Sequence, residues 1–218
     1  KFFTVLTSLG AKERLALSFR HMKDDPQNHI RVIPPLLRRE VTLHEPYSGD
    51  YIHGYMVNAG FSENVMKWHR QHPGIPLRFF WDKWEEEPVK RVDNTLSFYQ
   101  LDDVEFLRQM AGCKAYASTA GFESVCEAMY LGKPILMVPA HIEQDCNAYD
   151  AEKSGAGIIS SDFNLQQLLE FAKDYHPNRD FVYWVRGAEY TLLNLLESDS
   201  SNYQQVLFNE MYLVEEFI

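Results

Sequence analysis

Long apolar runs are missing from this 218-residue sequence: none approaches the roughly 20 residues that a membrane-spanning helix needs. The sequence starts with Lys1 rather than Met, shows no signal-peptide pattern within it, and is expected to be a fragment. Cysteine is scarce, and Cys113, Cys126 and Cys146 lack metal-ligand spacing and cannot all pair within one chain. A reduced, cytoplasmic setting is therefore expected, with Cys126 as a small core residue. Basic residues are the minority, 21 Lys and Arg against 31 Asp and Glu, for a formal charge of −10. Phosphate backbones would be repelled, so no nucleic-acid partner is expected. The exception is the segment 1–46, with eight Lys/Arg against five Asp/Glu. It leaves open a peripheral contact with an anionic membrane or with another domain.

What is present centres on Lys114 to Ala151. A short strand, Lys114 to Ser118, runs into Ala120-Gly121 and then a helix from about Phe122 to Leu131. Gly121 lets backbone approach a ligand closely, and the free N–H groups of the following helix form a weakly positive socket suited to a phosphate. Ser118, Thr119 and Ser124 flank it with hydroxyls. Glu127, six residues past Gly121, places a carboxylate in the second turn, where it can accept from two vicinal hydroxyls. Gly132-Lys133-Pro134 ends the helix, and Ile135 to Val138 reads as a parallel strand buried on both faces. A loop from His141 to Asn147 then carries Glu143, Gln144 and Asn147 to the carboxyl end of the sheet, where ligands bind in open α/β folds.

The pattern Gly121-Phe122-Glu123-Ser124-x-x-Glu127-Ala128, Gly132-Lys133-Pro134, Pro139, Glu143-Gln144-x-x-Asn147-Ala148 resembles the C-terminal domain of inverting GT-B glycosyltransferases. Plant UDP-glycosyltransferases and the bacterial N-acetylglucosaminyltransferase of peptidoglycan lipid synthesis are both similar. The resemblance implies a doubly wound, Rossmann-like parallel sheet forming the C-terminal half of a GT-B architecture. It implies a UDP-sugar donor, with Glu127 on the ribose and Glu143 with Gln144 on the sugar. The diphosphate would meet Gly60, Ser62, Thr119, Gly121, Phe122 and Ser124, and the nucleobase the backbone at Gln100 and Leu101. Thr119, Phe122 and Glu123 depart from the plant box, and a carboxylate at 123 beside a diphosphate must point away or the phosphate contacts must differ.

No Asp-x-Asp pair occurs, which speaks against a metal-dependent GT-A enzyme, and neither bound metal nor other cofactor is expected. The retaining enzymes' second glutamate falls eight residues before the ribose glutamate, at Thr119, so inversion is favoured. The family's catalytic base lies in its first domain. No catalytic residue is assigned in this chain, although His141 is nearest to the crevice. Two other readings stand beside this one: a non-catalytic donor-binding subunit that works with a partner chain, and an enzyme similar to UDP-N-acetylglucosamine 2-epimerase. The acceptor is unknown.

Elsewhere the chain reads as strands alternating with helices, the pattern of a parallel sheet. Residues 1–46 are expected to be the remnant of a preceding domain and a linker, with a helix over Thr4 to Arg14, a strand over Leu15 to Phe19 and an extended Ile30 to Leu37 stiffened by Pro34-Pro35. Residues 47–176 form the donor domain. Its other expected elements are strands at Asp50 to Val57, Ile75 to Trp81, Thr95 to Gln100 and Ile158-Ile159, and helices at Glu63 to Gln71 with Ser62 as N-cap, from Asp102-Asp103 to Gly112, and Leu165 to Lys173. Gly60 and Ser62 read equally well as a capped helix with no ligand. Asp82 to Asn94 is expected to be a charged loop, with Trp81 and Trp84 only packing. Residues 177–218 are expected to be helical, either crossing back to the first domain or packing on their own sheet. The length suits one α/β domain with additions, short of a whole two-domain enzyme.

Overall fold

The computed structural model describes residues 6, 8–83 and 87–197. Two compact units are present, Leu37–Val182 and, from the two ends of the chain, Lys1–Leu36 with Tyr183–Ile218.

The first unit to consider, Leu37–Val182, is built on one twisted sheet. Its strands are β3 (Ile52–Met56), β4 (Leu77–Trp81), β5 (Val89–Arg91), β6 (Leu96–Gln100), β7 (Ala115–Ser118), β8 (Ile135–Met137) and β9 (Gly157–Ile159). They lie in the order β5-β6-β4-β3-β7-β8-β9, parallel throughout except for β5 against β6. Without β5, the six parallel strands follow the third-second-first-fourth-fifth-sixth order of a doubly wound fold. The order reverses between β3 and β7. A crevice for ligand is expected outside the carboxyl ends of those two strands.

Both faces of the sheet are covered, which is why β8 reads as an unbroken apolar run rather than an alternating one, and β7 is buried at every position. On one face Ile52, Leu77, Phe79, Leu96, Phe98 and Ala117 pack with Val65 and Trp68 of α2 (Ser62–Gln71) and with Leu165 and Leu168 of α6 (Leu165–Phe171). Gly54 stands opposite Phe79 in the register, and a Cβ there would lie 2.2 Å from the Phe79 ring. On the other face His53, Phe80 and Tyr116 meet Phe106 of α3 (Asp103–Gly112). Asp102 caps α3 by accepting from the Glu105 amide at 2.8 Å, with Asp103 and Glu105 in the first turn, as the paired acids implied.

α4 (Phe122–Tyr130) ends in a Schellman arrangement: the Gly132 amide donates to Met129 O, the Lys133 amide to Ala128 O, and Gly132 takes the left-handed φ of 67°. Lys133 is then buried, its ammonium donating to Tyr47 O at 2.7 Å and Cys113 O at 3.0 Å. It ties the segment before β3 to the start of β7.

Two expectations about local structure are corrected. Asp82 to Asn94 is not loop throughout, because Val89–Arg91 adds an antiparallel edge strand. The Asp93 carboxylate closes that hairpin by accepting from the Thr95 and Leu96 amides, each at 2.8 Å. Trp84 and the first two residues of the Glu85-Glu86-Glu87 run lie outside the described residues. The stretch from His141 to Asn147 is not a loop either. It opens α5 (Ile142–Lys153), with Glu143 and Asp145 at the electropositive first turn. The segment expected to be extended is so: Ile30–Ile33 is a strand, β2, paired in parallel with β1 (Arg14–Leu17) in a two-stranded sheet. Pro34 and Pro35 follow its last residue, where their missing N–H groups cost no ladder bond.

The β1-β2 pair belongs to the other unit. The expected helix over Thr4 to Arg14 does not extend past residue 7: Leu6 is helical, but residues 8–10 are a turn, Gly10 has a φ of 81°, and the chain enters β1 at Arg14. Residues 4, 5 and 7 lie outside the described residues. In the same unit the Trp184 indole donates to Ser18 O at 3.2 Å and meets the His21 ring edge-on. The carboxyl-terminal segment is helical in its described part, as α7 (Arg179–Arg186) and residues 188–197, and the expectation for 198–218 lies outside the described residues. A four-residue helix, α1 (Arg39–Thr42), precedes β3 in Leu37–Val182.

Candidate functional site

Where β3 and β7 leave the sheet, their exits are hydrogen-bonded to each other. The Thr119 amide donates to Tyr55 O at 3.3 Å, and the Thr119 hydroxyl accepts from the Val57 amide at 3.3 Å. Thr119 is fully buried. Its hydroxyl thus pins the two walls of the crevice.

The turn into α4 carries its strain one residue earlier than expected. Gly121 has an ordinary extended conformation (φ −63°, ψ 133°), while Ala120 holds the left-handed φ of 60°. Such a conformation costs an alanine roughly 1–2 kcal/mol. Side chains hold it there: Ser118 Oγ accepts from the Ala120 amide at 3.1 Å, and the Asn147 side-chain amide donates to Ala120 O at 3.3 Å. At Gly121 a Cβ would meet only Ser124 Oγ, at 3.7 Å, so the absence of a side chain serves open space and not backbone strain. The Ser124 hydroxyl donates back to Gly121 O at 3.2 Å. Gly121 makes no side-chain cap to α4, whose first amides have no acceptor within a helix's own hydrogen-bond pattern. Glu123 is exposed.

At the other turn Asn58 is the capping residue, its side chain accepting from the Gly60 amide at 2.8 Å. Ser62, expected as N-cap, is instead the first residue of α2 and is buried. The asparagine wins because a short 3-10 turn, Ala59–Phe61, precedes the helix and needs its own cap.

Glu127 lies on the second turn of α4 with its side chain only 6 % exposed. A fork from Arg38 holds both its oxygens, Nε to Oε1 at 2.6 Å and Nη2 to Oε2 at 3.2 Å. The third guanidinium nitrogen reaches Asp103 at 3.3 Å. Burial pushes the Glu127 carboxyl above its ordinary value even though Arg38 draws it down. Arg38, Asp103, Leu43, Val104 and Leu107 line a neighbouring cleft of about 440 Å³. Sequence reading missed this partner. Arg38 is 89 residues from Glu127, and a basic residue before a short helix has no spacing that would announce it.

On the third strand exit Gln144 is buried and its side-chain carbonyl accepts from the Ala140 amide at 2.8 Å, whereas Glu143 beside it is exposed. Gln100 ends β6 with its amide donating to Pro88 O, and Leu101 follows with its side chain exposed. Cys113 and Cys126 are buried and Cys146 is exposed, all as free thiols. Burial raises the Cys113 thiol to about 12 and lifts that of Cys126 well above its ordinary range. Among the described residues no cluster of His, Cys, Asp and Glu is placed to hold a metal ion, and no helix is long and apolar enough to cross a membrane.

A six-stranded parallel sheet in this order, with an antiparallel edge strand, defines the doubly wound class of α/β domain. The family within that class follows from comparison with known proteins: residues 10–175 match the profile of glycosyl transferase family 1, and the chain belongs to that family. Its fold is one Rossmann-like half of the GT-B architecture. The glycosyltransferase of kitacinnamycin superposes with a TM-score of 0.60 at 14 % identity, over 86 % of this chain and 54 % of that one. The calicheamicin glycosyltransferase gives 0.56 at 12 % identity, over 78 % and 47 %. A UGT of Arabidopsis thaliana solved with quercetin gives 0.54 at 15 % identity, over 79 % and 51 %. In sequence, ugt-48 of Caenorhabditis elegans, whose name assigns it to the UDP-glucuronosyltransferases, is 26 % identical over 105 residues, 47 % of this chain. The chain spans about 20 % of that relative's length and about half the length of the solved structures.

Proposed function

We propose that this chain is the donor-binding half of an inverting, metal-independent glycosyltransferase that takes a UDP-sugar, with the acceptor and the catalytic base supplied by a domain outside this sequence. The observation that carries the reading is Glu127: a nearly sealed carboxylate on the second turn of the helix that starts at the switch point behind Gly121.

In this reading Glu127 accepts from the ribose hydroxyls. The diphosphate lies against the amides after Gly121, including Phe122, and against Ser124, where a helix N-terminus stabilises the charge that develops as the diphosphate leaves. Gly60, Ser62 and Thr119 complete that wall. With the Gly60 amide and the Thr119 hydroxyl engaged by Asn58 and Val57, they shape it and the α4 amides make the direct contacts. The exposure of Glu123 to solvent weakens the repulsion that a carboxylate beside the diphosphate brings. Backbone at Gln100 and Leu101 pairs with the base, and Glu143 with Gln144 holds sugar hydroxyls. The acceptor hydroxyl attacks the anomeric carbon in line, its proton goes to the base, and the nucleoside diphosphate departs. Three free thiols support a reducing, cytoplasmic compartment.

Calorimetric titration with UDP, UDP-glucose and UDP-N-acetylglucosamine, without metal, tests this. Binding to at least one is expected, weakened about tenfold or more in Glu127→Ala, equivalent to about 1.4 kcal/mol. A folded chain that binds none of them, or a Glu127→Ala variant that binds equally well, would overturn the assignment.

A further inference from the structure

The Arg38–Glu127 pair conflicts with a donor site in which Glu127 receives a ribose. A carboxylate that grips a vicinal diol needs its oxygens open to the ligand. Here both oxygens are occupied by one guanidinium, and the Glu127 side chain is 6 % exposed while that of Arg38 is 32 % exposed. Arg38 therefore lies between the carboxylate and solvent.

The two partners are unequally anchored. Glu127 is fixed on α4, whose neighbouring residues Val125, Cys126, Ala128 and Met129 are all buried. Arg38 sits between the extended Pro34-Pro35 stretch and the four-residue helix α1, without a side-chain cap of its own. Its other partner, Asp103, is 82 % exposed, and such a pair holds little. When the contact breaks, it is Arg38 that moves. Asp103, at the start of α3, stays available to the freed guanidinium.

We infer that Arg38 is a donor-site residue that determines affinity: ribose and Arg38 compete for the Glu127 carboxylate, and a nucleotide binds by taking over the two oxygens that the guanidinium holds. The inference rests on the donor-site reading of Glu127. It assigns to Arg38 a discrimination for ligands that carry a 2′,3′-diol, because only a diol offers two donors to replace the fork. Burial raises the Glu127 carboxyl above its ordinary value, with Glu123 and Asp103 adding to that, while the Arg38 fork draws it down.

Two measurements on the 218-residue chain test this. In the unaltered chain, the Arg38 Nε–Hε resonance is followed by ¹⁵N NMR with UDP and with 2′,3′-dideoxy-UDP. A large shift at saturating UDP, absent with the dideoxy compound at equal occupancy, is the expected result. An unmoved resonance at saturating UDP overturns the inference. Calorimetry at pH 8.5 then compares the unaltered chain with Arg38→Met, Arg38→Lys and Glu127→Ala. Arg38→Met should bind UDP at least threefold more tightly and the dideoxy compound unchanged, with Arg38→Lys between. Unchanged or weaker UDP binding by a folded Arg38→Met refutes the competition, while loss in Glu127→Ala leaves the donor site standing. Failure of every variant and of the unaltered chain to bind UDP removes both.

Discussion

His53 offers a quantitative test of how this sheet is built. It lies in the middle strand, fully buried among Phe80, Phe106 and Tyr116, and neither ring nitrogen has a hydrogen-bond partner. Burial drives its pKa down to about 3 from 6.5, with the charges of Arg78 and Lys133 acting in the same direction, against opposing pulls from the Arg78 backbone and from Glu105. The folded state refuses a proton that the unfolded chain accepts below pH 6.5. Stability from this group is therefore complete above the unfolded value and is lost as pH falls from 6.5 toward 3. Between pH 7 and pH 5 the loss is about 2 kcal/mol, from roughly one and a half pKa units at about 1.4 kcal/mol each.

His53→Leu removes that proton and both unpaired nitrogens. Urea unfolding, followed by tryptophan fluorescence at pH 7 and pH 5, should show the parent losing about 2 kcal/mol more than the variant over that interval. At pH 7 the variant should be within about 1 kcal/mol of the parent or above it, since two unsatisfied buried groups are gone. Equal losses in the two proteins would refute the reasoning, because they would mean that His53 is protonated in the fold or is not buried there.

Other outcomes follow from single contacts. Lys133→Met removes the donor to Tyr47 O and strands the buried carbonyl of Cys113, and should cost about 1–3 kcal/mol in the same unfolding assay. Gly54→Ala would place a methyl 2.2 Å from the fully buried Phe79 ring, so a loss of about 1–3 kcal/mol or more is expected in thermal or urea unfolding. The turn into α4 separates strain from ligand approach. Ala120→Gly should be neutral or stabilising by up to about 1 kcal/mol, since φ is 60° there. Gly121→Ala should leave stability within about 1 kcal/mol, since its Cβ meets only Ser124 Oγ, yet weaken UDP binding measured by calorimetry.

Much of the sheet was legible because parallel strands buried on both faces leave a plain signature: β3, β4, β6, β7 and β8 all fall where apolar runs flanked by turn residues had put them. The caps of α3 and α4 were legible for the same local reason, a carboxylate three residues before an amide or a glycine that alone takes a positive φ cheaply. What misled was polarity. The charged stretch around Val89 hid an edge strand, which needs no apolar face, and the acids after His141 read as loop although they suit the first turn of a helix.

At the candidate site the division is sharper. The sequence by itself determined that a carboxylate would stand on the second turn of a helix beginning at a strand exit, because six residues of spacing past Gly121 are a helical distance and need nothing beyond the chain's own local geometry. Only the tertiary structure decided what that carboxylate meets. Strand order brings β3 beside β7, so that the Thr119 hydroxyl serves the Val57 amide and leaves the socket. The register of distant segments puts Asn147 on Ala120 and Arg38 on Glu127 across 27 and 89 residues. Hydrogen bonds and ion pairs act over a few ångströms, and residues that far apart along the chain come within that range only after the sheet has fixed where each segment lies.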